Sequence, residues 1–359
     1  MESASLSDAP SHLWLLAIGY SERASGEFGC VGPISVVRIF PMAPFRLLIA
    51  ISMGLSLMLS SASLAHAQTR TKTEVPYPTV AKSVSWIVNV PYVTGGGLEQ
   101  QLDLYVPTDH HGEPLVVFIH GGGFDHGDKA GDSINPNNLQ WLWQGYAMAS
   151  VNYRLLQHAL WPAQIEDCKS AIRWLKAHAN DYGYSPDKIA VVGESAGGQL
   201  VAMIGTTGGK KVFEVGENLD QTSDVTCVVD LFGPVDVTRL PGLAAKLLGT
   251  DNKDNQEMRR NASPITYVHE GQPPILVVQG TDDKLVPYEQ AELFADAMDK
   301  VHAPYHFHTV VGGGHNPFFG LNTNPKTGWF DAGGGGIGLF EDPAVEPMII
   351  EFLHQHLGS

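Results

Sequence analysis

A serine flanked by small residues has the local pattern of a hydrolytic nucleophile. Ser195 lies within Gly193–Gly198, directly after the apolar run Ile189–Val192 and before a stretch of helical character. A sharp turn from a strand into a helix projects a serine hydroxyl above a sheet, and flanking glycines let the backbone pass without collision. The pattern Gly-x-Ser-x-Gly often arises by chance, so an ordinary glycine-rich turn is the alternative. The context predicts that Ser195 is the nucleophile.

A second glycine-rich segment, His120–Phe124, follows another apolar run, Leu115–Ile119. Such a turn can direct backbone N–H groups toward the negative charge that develops on an ester oxygen during attack. Glycine leaves room for an acyl group to approach the main chain. We therefore predict that Gly122, Gly123 and Ala196 form an oxyanion hole, with a simple loop as the alternative.

Two carboxylates follow the apolar run Ile275–Gln279, within the segment Gly280–Pro287. If that run is a strand of a parallel sheet, its carboxyl end lies at the same edge as Ser195. Either Asp282 or Asp283 can then orient a catalytic histidine. The other is expected to face solvent or to cap the next turn.

The candidate histidine, His315, lies in the glycine-rich segment Val311–Asn316 after the run His306–Val310. A histidine flanked by glycines on a loop can contact both a serine and an aspartate. Most other histidines of this chain are expected to be inert surface residues. The order serine, aspartate, histidine along the chain predicts that His315 is the general base.

The elements that position these residues are indicated by short apolar runs alternating with helical patterns. Near-continuous apolar runs are typical of parallel strands that are covered on both faces, and their order predicts an α/β fold. The runs are Leu115–Ile119, Ala147–Val151, Ile189–Val192, Val225–Leu231, Ile275–Gln279 and His306–Val310.

The chain before and between these runs predicts further elements. Ser83–Val90 and Leu98–Tyr105 flank the turn Thr94–Gly97, which indicates an antiparallel hairpin at a sheet edge. After Pro162, apolar residues recur at helical spacing and predict a crossover helix. Those residues are Ile165, Cys168, Ile172 and Leu175, and further helices are expected after Ser195, over Tyr288–Met298 and over Ala344–Leu353.

These motifs, together with Asn152–Leu155 and Asp167–Trp174, resemble those of the α/β-hydrolase esterases around hormone-sensitive lipase and the bacterial feruloyl esterases. The resemblance spans roughly residues 83–318. It implies an α/β-hydrolase fold, with a mostly parallel central sheet and helices on both faces. It also implies carboxylesterase, acetylesterase or feruloyl esterase activity without a cofactor. Asp283 stands in the D-x-x-V-P register that related hydrolases use, which favours it over Asp282.

The chain departs from this family pattern in two places. Hormone-sensitive-lipase relatives generally carry aspartate before the nucleophile and a helical cap. This chain has Glu194 and only a short stretch from which to build a cap, so it is more similar to esterases of small feruloyl and acetyl substrates. The glycine-rich segment Gly320–Asp342 has no counterpart in that pattern and is predicted to be a long loop.

Four apolar residues flank the motifs and are candidates for a substrate pocket. They can line an acyl or aromatic pocket, or they can be ordinary core residues. They are Phe124, Leu160, Trp161 and Phe318.

The charge balance argues against several partners. The 359 residues carry 38 acidic and 22 Lys or Arg side chains, a formal charge of -16. Such a surface repels nucleic acid and anionic membranes, so the expected partner is a small neutral ester. No metal site is predicted, because His306 with His308 and the pair His110-His111 lack a third ligand at useful spacing.

The N-terminal region carries a targeting pattern. The apolar run Leu47–Leu59 follows Arg46 and leads to Ala65-His66-Ala67, which predicts a signal peptide over residues 42–67, with cleavage after Ala67. Translation is then expected to begin at Met42, with residues 1–41 as a non-native extension. We expect a single catalytic domain over residues 68–359, secreted or periplasmic and without stable membrane insertion after cleavage. An uncleaved anchor is the alternative.

Three further points remain open at the level of sequence. A serine peptidase related to prolyl oligopeptidase would share this residue order, although no propeller-sized domain accompanies it. A non-catalytic binding protein of the same fold is a second alternative. In the mature protein Cys168 and Cys227 form a disulfide or remain buried thiols.

Overall fold

The structure is a computed structural model, and it describes residues 84–108, 112–130, 145–315 and 342–358. All of these residues belong to one compact unit, Thr71–Ser359. The predicted signal peptide over 42–67, the expected start at Met42, Phe318 and the segment 320–341 lie outside the described residues.

The described strands are β1 Val84–Pro91, β2 Gln101–Pro107, β3 Glu113–Ile119, β4 Ala147–Val151, β5 Tyr184–Glu194, β6 Cys227–Leu231, β7 Ile275–Gly280 and β8 Tyr305–Val310. They form one eight-stranded sheet in the order β1-β2-β4-β3-β5-β6-β7-β8. Strand β2 pairs antiparallel with β1 and with β4, and all other neighbours are parallel. The predicted edge hairpin and the mostly parallel sheet are therefore confirmed.

The central strands read as continuous apolar runs because both faces of the sheet are buried. In β5, Ile189 and Val191 enter one hydrophobic cluster, whereas Ala190 and Val192 enter another on the opposite face. This follows from the alternation of side chains along a strand. The two clusters form the core of the described protein.

Helices cover both faces of this sheet. The described helices are α1 Ala163–Ala177, α2 Ala179–Tyr182, α3 Ala196–Thr206, α4 Pro241–Leu248, α5 Gln256–Asn261, α6 Glu289–Lys300 and α7 Val345–Leu357. Helices α1, α3, α4 and α6 contribute to the first cluster and α7 to the second. The predicted crossover helix is α1, which begins directly after Pro162.

The clearest departure from the predicted elements is at Leu98–Gln100, which forms a 3-10 helix instead of the start of a strand. The amide of Gln100 donates to the carbonyl of Gly97, which closes a turn before β2 begins. Leu98 is 71% exposed, so its apolar character does not reflect a place in the core. Helices α4 and α5 also had no counterpart among the predicted elements.

Cys168 and Cys227 are free, buried thiols in this fold. They lie in clusters on opposite faces of the sheet, which prevents a disulfide between them. Burial raises the pKa of the Cys227 thiol to about 12. Among the described helices, none has the length and apolar character needed to cross a bilayer.

Candidate active site

Ser195 lies on a sharp turn between β5 and α3. Its backbone has φ of +53° and ψ of -115°, a conformation that costs a non-glycine residue on the order of 1–3 kcal/mol. The amide of Ser195 donates to the carbonyl of Leu231 at the end of β6 (2.9 Å). A side chain at Gly197 would place its Cβ 2.0 Å from the carbonyl oxygen of Ile119, so only glycine fits there. The sequence thus folds into the predicted turn with the serine at its apex.

His315 lies within hydrogen-bond distance of the other two predicted triad residues. Its Nε2 is 2.8 Å from Ser195 Oγ, and its Nδ1 is 2.7 Å from Asp283 Oδ2. An edge-to-face contact with the ring of Phe232, at 4.6 Å between ring centres, fixes the imidazole plane. The three side chains therefore form one continuous hydrogen-bonded chain from carboxylate to hydroxyl.

Asp283, and not Asp282, faces this histidine. Asp283 Oδ1 accepts the amides of Leu285 and Val286 at 2.9 Å each, and Oδ2 accepts Gln279 Nε2 at 3.0 Å. With His315 these bonds occupy both carboxylate oxygens of a side chain that is fully buried. Backbone and amide donors therefore hold the carboxylate in a fixed orientation toward His315.

The predicted oxyanion donors lie on the turn after β3 and at the start of α3. Gly122 has φ of +98°, and a Cβ there would meet the carbonyl oxygen of His126 at 2.1 Å. In the described part of the chain, the amides of Gly122, Gly123 and Ala196 donate to no backbone or side-chain acceptor. Ala196 is the first residue of α3, where the helix dipole also favours negative charge.

The turn after β3 is held from beneath by His120 and Tyr153. Their rings stack at 4.5 Å, and the Tyr153 hydroxyl donates to the carbonyl of His120 at 2.9 Å. His120 Nδ1 lies 2.8 Å from the carbonyl oxygen of Gly121. Burial lowers the pKa of His120 to about 4, so its imidazole is neutral at physiological pH. These contacts preorganise the turn without adding charge.

The predicted pocket residues differ in accessibility. Phe124 is fully buried and packs at 6.5 Å from the ring of Tyr153, so it supports the turn instead of facing a substrate. Trp161 is 4% exposed, and its indole N–H donates to Asn261 Oδ1 at 2.7 Å. Leu160 is 45% exposed and is the one described member of the set that presents a broad apolar surface.

Sequence reasoning missed two residues that support the triad. Gln279 bridges Asp283 and the carbonyl of Val286 through one amide nitrogen, with 3.0 Å to each. Phe232 has φ of +47° and packs on His315. Gln279 could have been found as the polar last residue of an otherwise apolar run; Phe232 carries no comparable signal. Within the described residues, no group of three or more His, Cys, Asp or Glu side chains is placed to hold a metal ion.

Comparison with known proteins agrees with this geometry. A profile of the BD-FAE family matches residues 102–298, more than half of the chain. The chain is 33% identical to the probable carboxylic ester hydrolase LipM of Mycobacterium tuberculosis over 197 residues, which are 52% of this chain and 45% of LipM. It spans about half the length of the curated relatives it matches.

Solved structures of esterases are similar to this chain over a larger share of its length. A truncated carbohydrate esterase from gut microbiota has a TM-score of 0.62 and 26% identity, covering 79% of this chain and 99% of that one. Thermogutta terrifontis esterase 2 phosphoramylated by tabun has a TM-score of 0.59 and 26% identity, with coverage of 78% and 97%. The predicted α/β-hydrolase fold and the resemblance to serine esterases are confirmed.

Proposed function

The chain belongs to the BD-FAE family, and we propose that it is a serine carboxylic ester hydrolase that works through an acyl-enzyme. The observation that carries the proposal is the chain of hydrogen bonds from Asp283 through His315 to Ser195 on a strained turn. Buried donors fix the carboxylate, and the hydroxyl lies at the partly exposed end. This arrangement favours nucleophilic catalysis over a purely structural role.

The reaction follows from the positions of these atoms. His315 Nε2 takes the proton of Ser195 Oγ as the oxygen attacks the ester carbonyl carbon, and Asp283 stabilises the resulting imidazolium. The tetrahedral intermediate collapses when the same nitrogen gives its proton to the leaving alcohol. His315 then takes a proton from a water molecule as the water oxygen attacks the acyl-enzyme carbonyl carbon, and it returns that proton to Ser195 Oγ as the carboxylic acid leaves.

The oxyanion is stabilised by the amides of Gly122, Gly123 and Ala196. They are already free of other acceptors among the described residues, so they need no reorganisation during the reaction. Loss of one such donor costs about 3 kcal/mol in comparable sites.

The substrates are small neutral esters, with short acyl, acetylated-sugar or feruloyl-type groups. The formal charge of -16 disfavours strongly anionic substrates. The similarity to a carbohydrate esterase supports the same class.

Export through the signal peptide 42–67 is also part of the proposal. N-terminal sequencing of the exported protein tests it, and we expect the first residue to be Gln68.

The test uses the full chain, Ser195→Ala, and Ser85→Ala as a control at an exposed serine of β1. Initial rates are measured on p-nitrophenyl acetate, butyrate and octanoate, on methyl ferulate and on an aminoacyl-p-nitroanilide. We expect Ser195→Ala to reduce kcat on short esters by about 10⁴-fold or more, because the nucleophile is lost, and the control to be unchanged.

Covalent labelling gives a second readout. Paraoxon should add one diethylphosphoryl group to Ser195, detected by peptide mass spectrometry, and none to that position in Ser195→Ala. Turnover of the anilide alone would move the assignment to a peptidase. Absence of both turnover and labelling would favour a non-catalytic binding protein.

A further inference from the structure

Lys246 extends from α4 to the glycine-rich turn after β3. A Cβ built on Gly123 would lie 2.8 Å from Lys246 Nζ, so the ammonium occupies the space where a side chain at that position would be. Gly123 is one of the candidate oxyanion donors. A cation therefore stands beside the place where the ester would bind.

Helix α4 holds this lysine on a rigid support. Ala244, Leu247 and Leu248 are fully buried in the core. The carbonyl of Leu247 also accepts the amide of Trp161 at 3.1 Å. The backbone that carries Lys246 is therefore fixed before a ligand binds, and the ion pair of Lys246 with Asp125 restrains the side chain.

The ammonium has hydrogen-bonding capacity to spare. Its Nζ lies 2.6 Å from Asp125 Oδ2, and the rest of the described chain offers it no second acceptor. An ammonium has three N–H donors, so two remain available on a side chain that is 39% exposed. They are free to donate to oxygen atoms of a bound molecule.

The charge around Lys246 determines which kind of ligand oxygen its available N–H groups bind. Burial raises the pKa of Asp125, but hydrogen bonds from Lys246 and His126 outweigh it and leave the pKa below its usual value. Asp125 is therefore ionised and offsets the charge of Lys246, while His126 Nδ1 lies 2.6 Å from its other oxygen. The Asp125 carboxylate beside the ammonium repels a second carboxylate, so the remaining N–H donors favour hydroxyl and ether oxygens.

We propose that Lys246 is a specificity-determining residue that binds a hydroxyl or ether oxygen of the substrate, and that it favours esters of polyhydroxylated alcohols such as sugars. This inference rests on the proposed esterase function. The exposed Leu160, whose Cδ1 would be 2.8 Å from a Cβ at Gly249, provides an apolar surface next to the end of the helix that carries Lys246. A sugar ring presents both kinds of surface, with polar edges and an apolar face.

The test compares two acetate esters that differ in their alcohol: an acetylated methyl xyloside and cyclohexyl acetate. The readout is the ratio of their kcat/KM values for the wild type, Lys246→Met and Lys246→Arg. The control is Lys253→Met, at a half-exposed lysine whose Nζ lies 3.9 Å from Asp254. We expect Lys246→Met to reduce the xyloside preference about 10-fold, the control to keep it, and the arginine variant to recover most of it.

If Lys246 only stabilises the turn after β3, the result is expected to differ. In that case Lys246→Met would lower both kcat/KM values in proportion and leave their ratio unchanged, which would overturn the proposal. A fall in kcat on both esters without a change in ratio would likewise assign Lys246 to oxyanion stabilisation and not to specificity.

Binding without turnover separates this proposal from the function on which it rests. Calorimetry with Ser195→Ala and Ser195→Ala/Lys246→Met measures the Kd of the acetylated xyloside, which we expect to rise at least about 5-fold in the double variant. If the Kd rises while the wild type shows no serine-dependent turnover, the esterase function fails and the oxygen site stands. If turnover depends on Ser195 while neither Kd nor ratio changes, the oxygen site fails alone.

Discussion

The candidate active site and the contact between α1 and the segment 208–226 are both built from buried polar groups, yet only one has the form of a reaction centre. The second region is the Glu214 cluster, defined here as Glu214, Lys169, Arg173 and Ser223. Lys169 Nζ lies 2.9 Å from Glu214 Oε1, and Arg173 pairs with the other carboxylate oxygen. The side chains of both cations are fully buried.

The two regions differ in how completely their hydrogen bonds are used. In the Glu214 cluster, Lys169 also donates to the carbonyl of Val212 and Arg173 to that of Glu217, so donors and acceptors satisfy one another. In the active site the chain of bonds ends on a partly exposed hydroxyl, beside amides that have no acceptor among the described residues. Charge and burial alone therefore do not identify a reactive centre. A chain of hydrogen bonds that ends on a partly exposed nucleophile does.

Asp283→Asn is expected to have the largest effect on activity, because it changes the chain of hydrogen bonds that distinguishes the active site from the Glu214 cluster. The asparagine oxygen can still accept the amides of Leu285 and Val286, but the amide nitrogen facing His315 Nδ1 imposes the wrong tautomer. We expect kcat on a short-chain ester to fall about 10⁴-fold, with thermal unfolding close to that of the wild type. The measurement is steady-state kinetics with circular dichroism melting.

The neighbouring Asp282→Asn is the matched control for that change, since Asp282 does not contact His315. An equal loss of kcat in both variants would remove the special role of the inner carboxylate.

A second test, with a smaller expected effect, concerns Asp230, which lies next to Gly198 of the turn that carries Ser195. It is fully buried at the end of β6; its Oδ1 accepts the amide of Gly233 at 2.8 Å, and its Oδ2 has no partner in the described chain. Burial raises its pKa to about 7, against a usual value of 3.8. The folded state therefore holds this proton more tightly than the unfolded state, and stability is lost as pH rises from about 4 through 7.

Asp230→Asn removes this dependence. We expect its free energy of unfolding to exceed that of the wild type by an amount that grows between pH 4 and 7 and levels off above, reaching at most roughly 4 kcal/mol. Urea unfolding at several pH values measures it, with Asp187→Asn, at an exposed position, as the control. Parallel curves for the wild type and Asp230→Asn over this range would show that Asp230 is ionised throughout.

The sequence predicted best what depends on local pattern. Continuous apolar runs identified the parallel strands because both faces of the sheet are buried, and the positions of Ser195, Asp283 and His315 directly after such runs brought them to one edge. The glycine-rich turns were predictable for the same reason, since close backbone approach requires glycine. Catalytic roles for these residues stay predictions until the kinetics are measured.

What the sequence did not predict depends on contacts between distant segments. Lys246 reaches Gly123 across 123 positions of chain, from a short helix without a marked pattern. Phe124 beside a motif could have been pocket or core, and its burial against Tyr153 decided this only in the folded chain. Lone polar or aromatic residues carry no periodicity, so three-dimensional packing alone assigns them.

The last test addresses the Glu214 cluster itself, through Glu214→Gln. Two fully buried cations would lose their counter-charge, so we expect the free energy of unfolding to fall by about 3 kcal/mol, toward the low end for buried pairs because Glu214 is 20% exposed. The value of kcat per folded molecule should not change. Urea unfolding and initial rates well below the transition separate the two effects.

Glu289→Gln is the matched control, because its pair with Arg239 is exposed on both sides and should contribute about 0.5 kcal/mol or less. A loss of turnover in Glu214→Gln at unchanged stability would mean that α1 couples the two regions. The completeness of hydrogen bonding would then no longer distinguish a structural network from a reactive one in this protein.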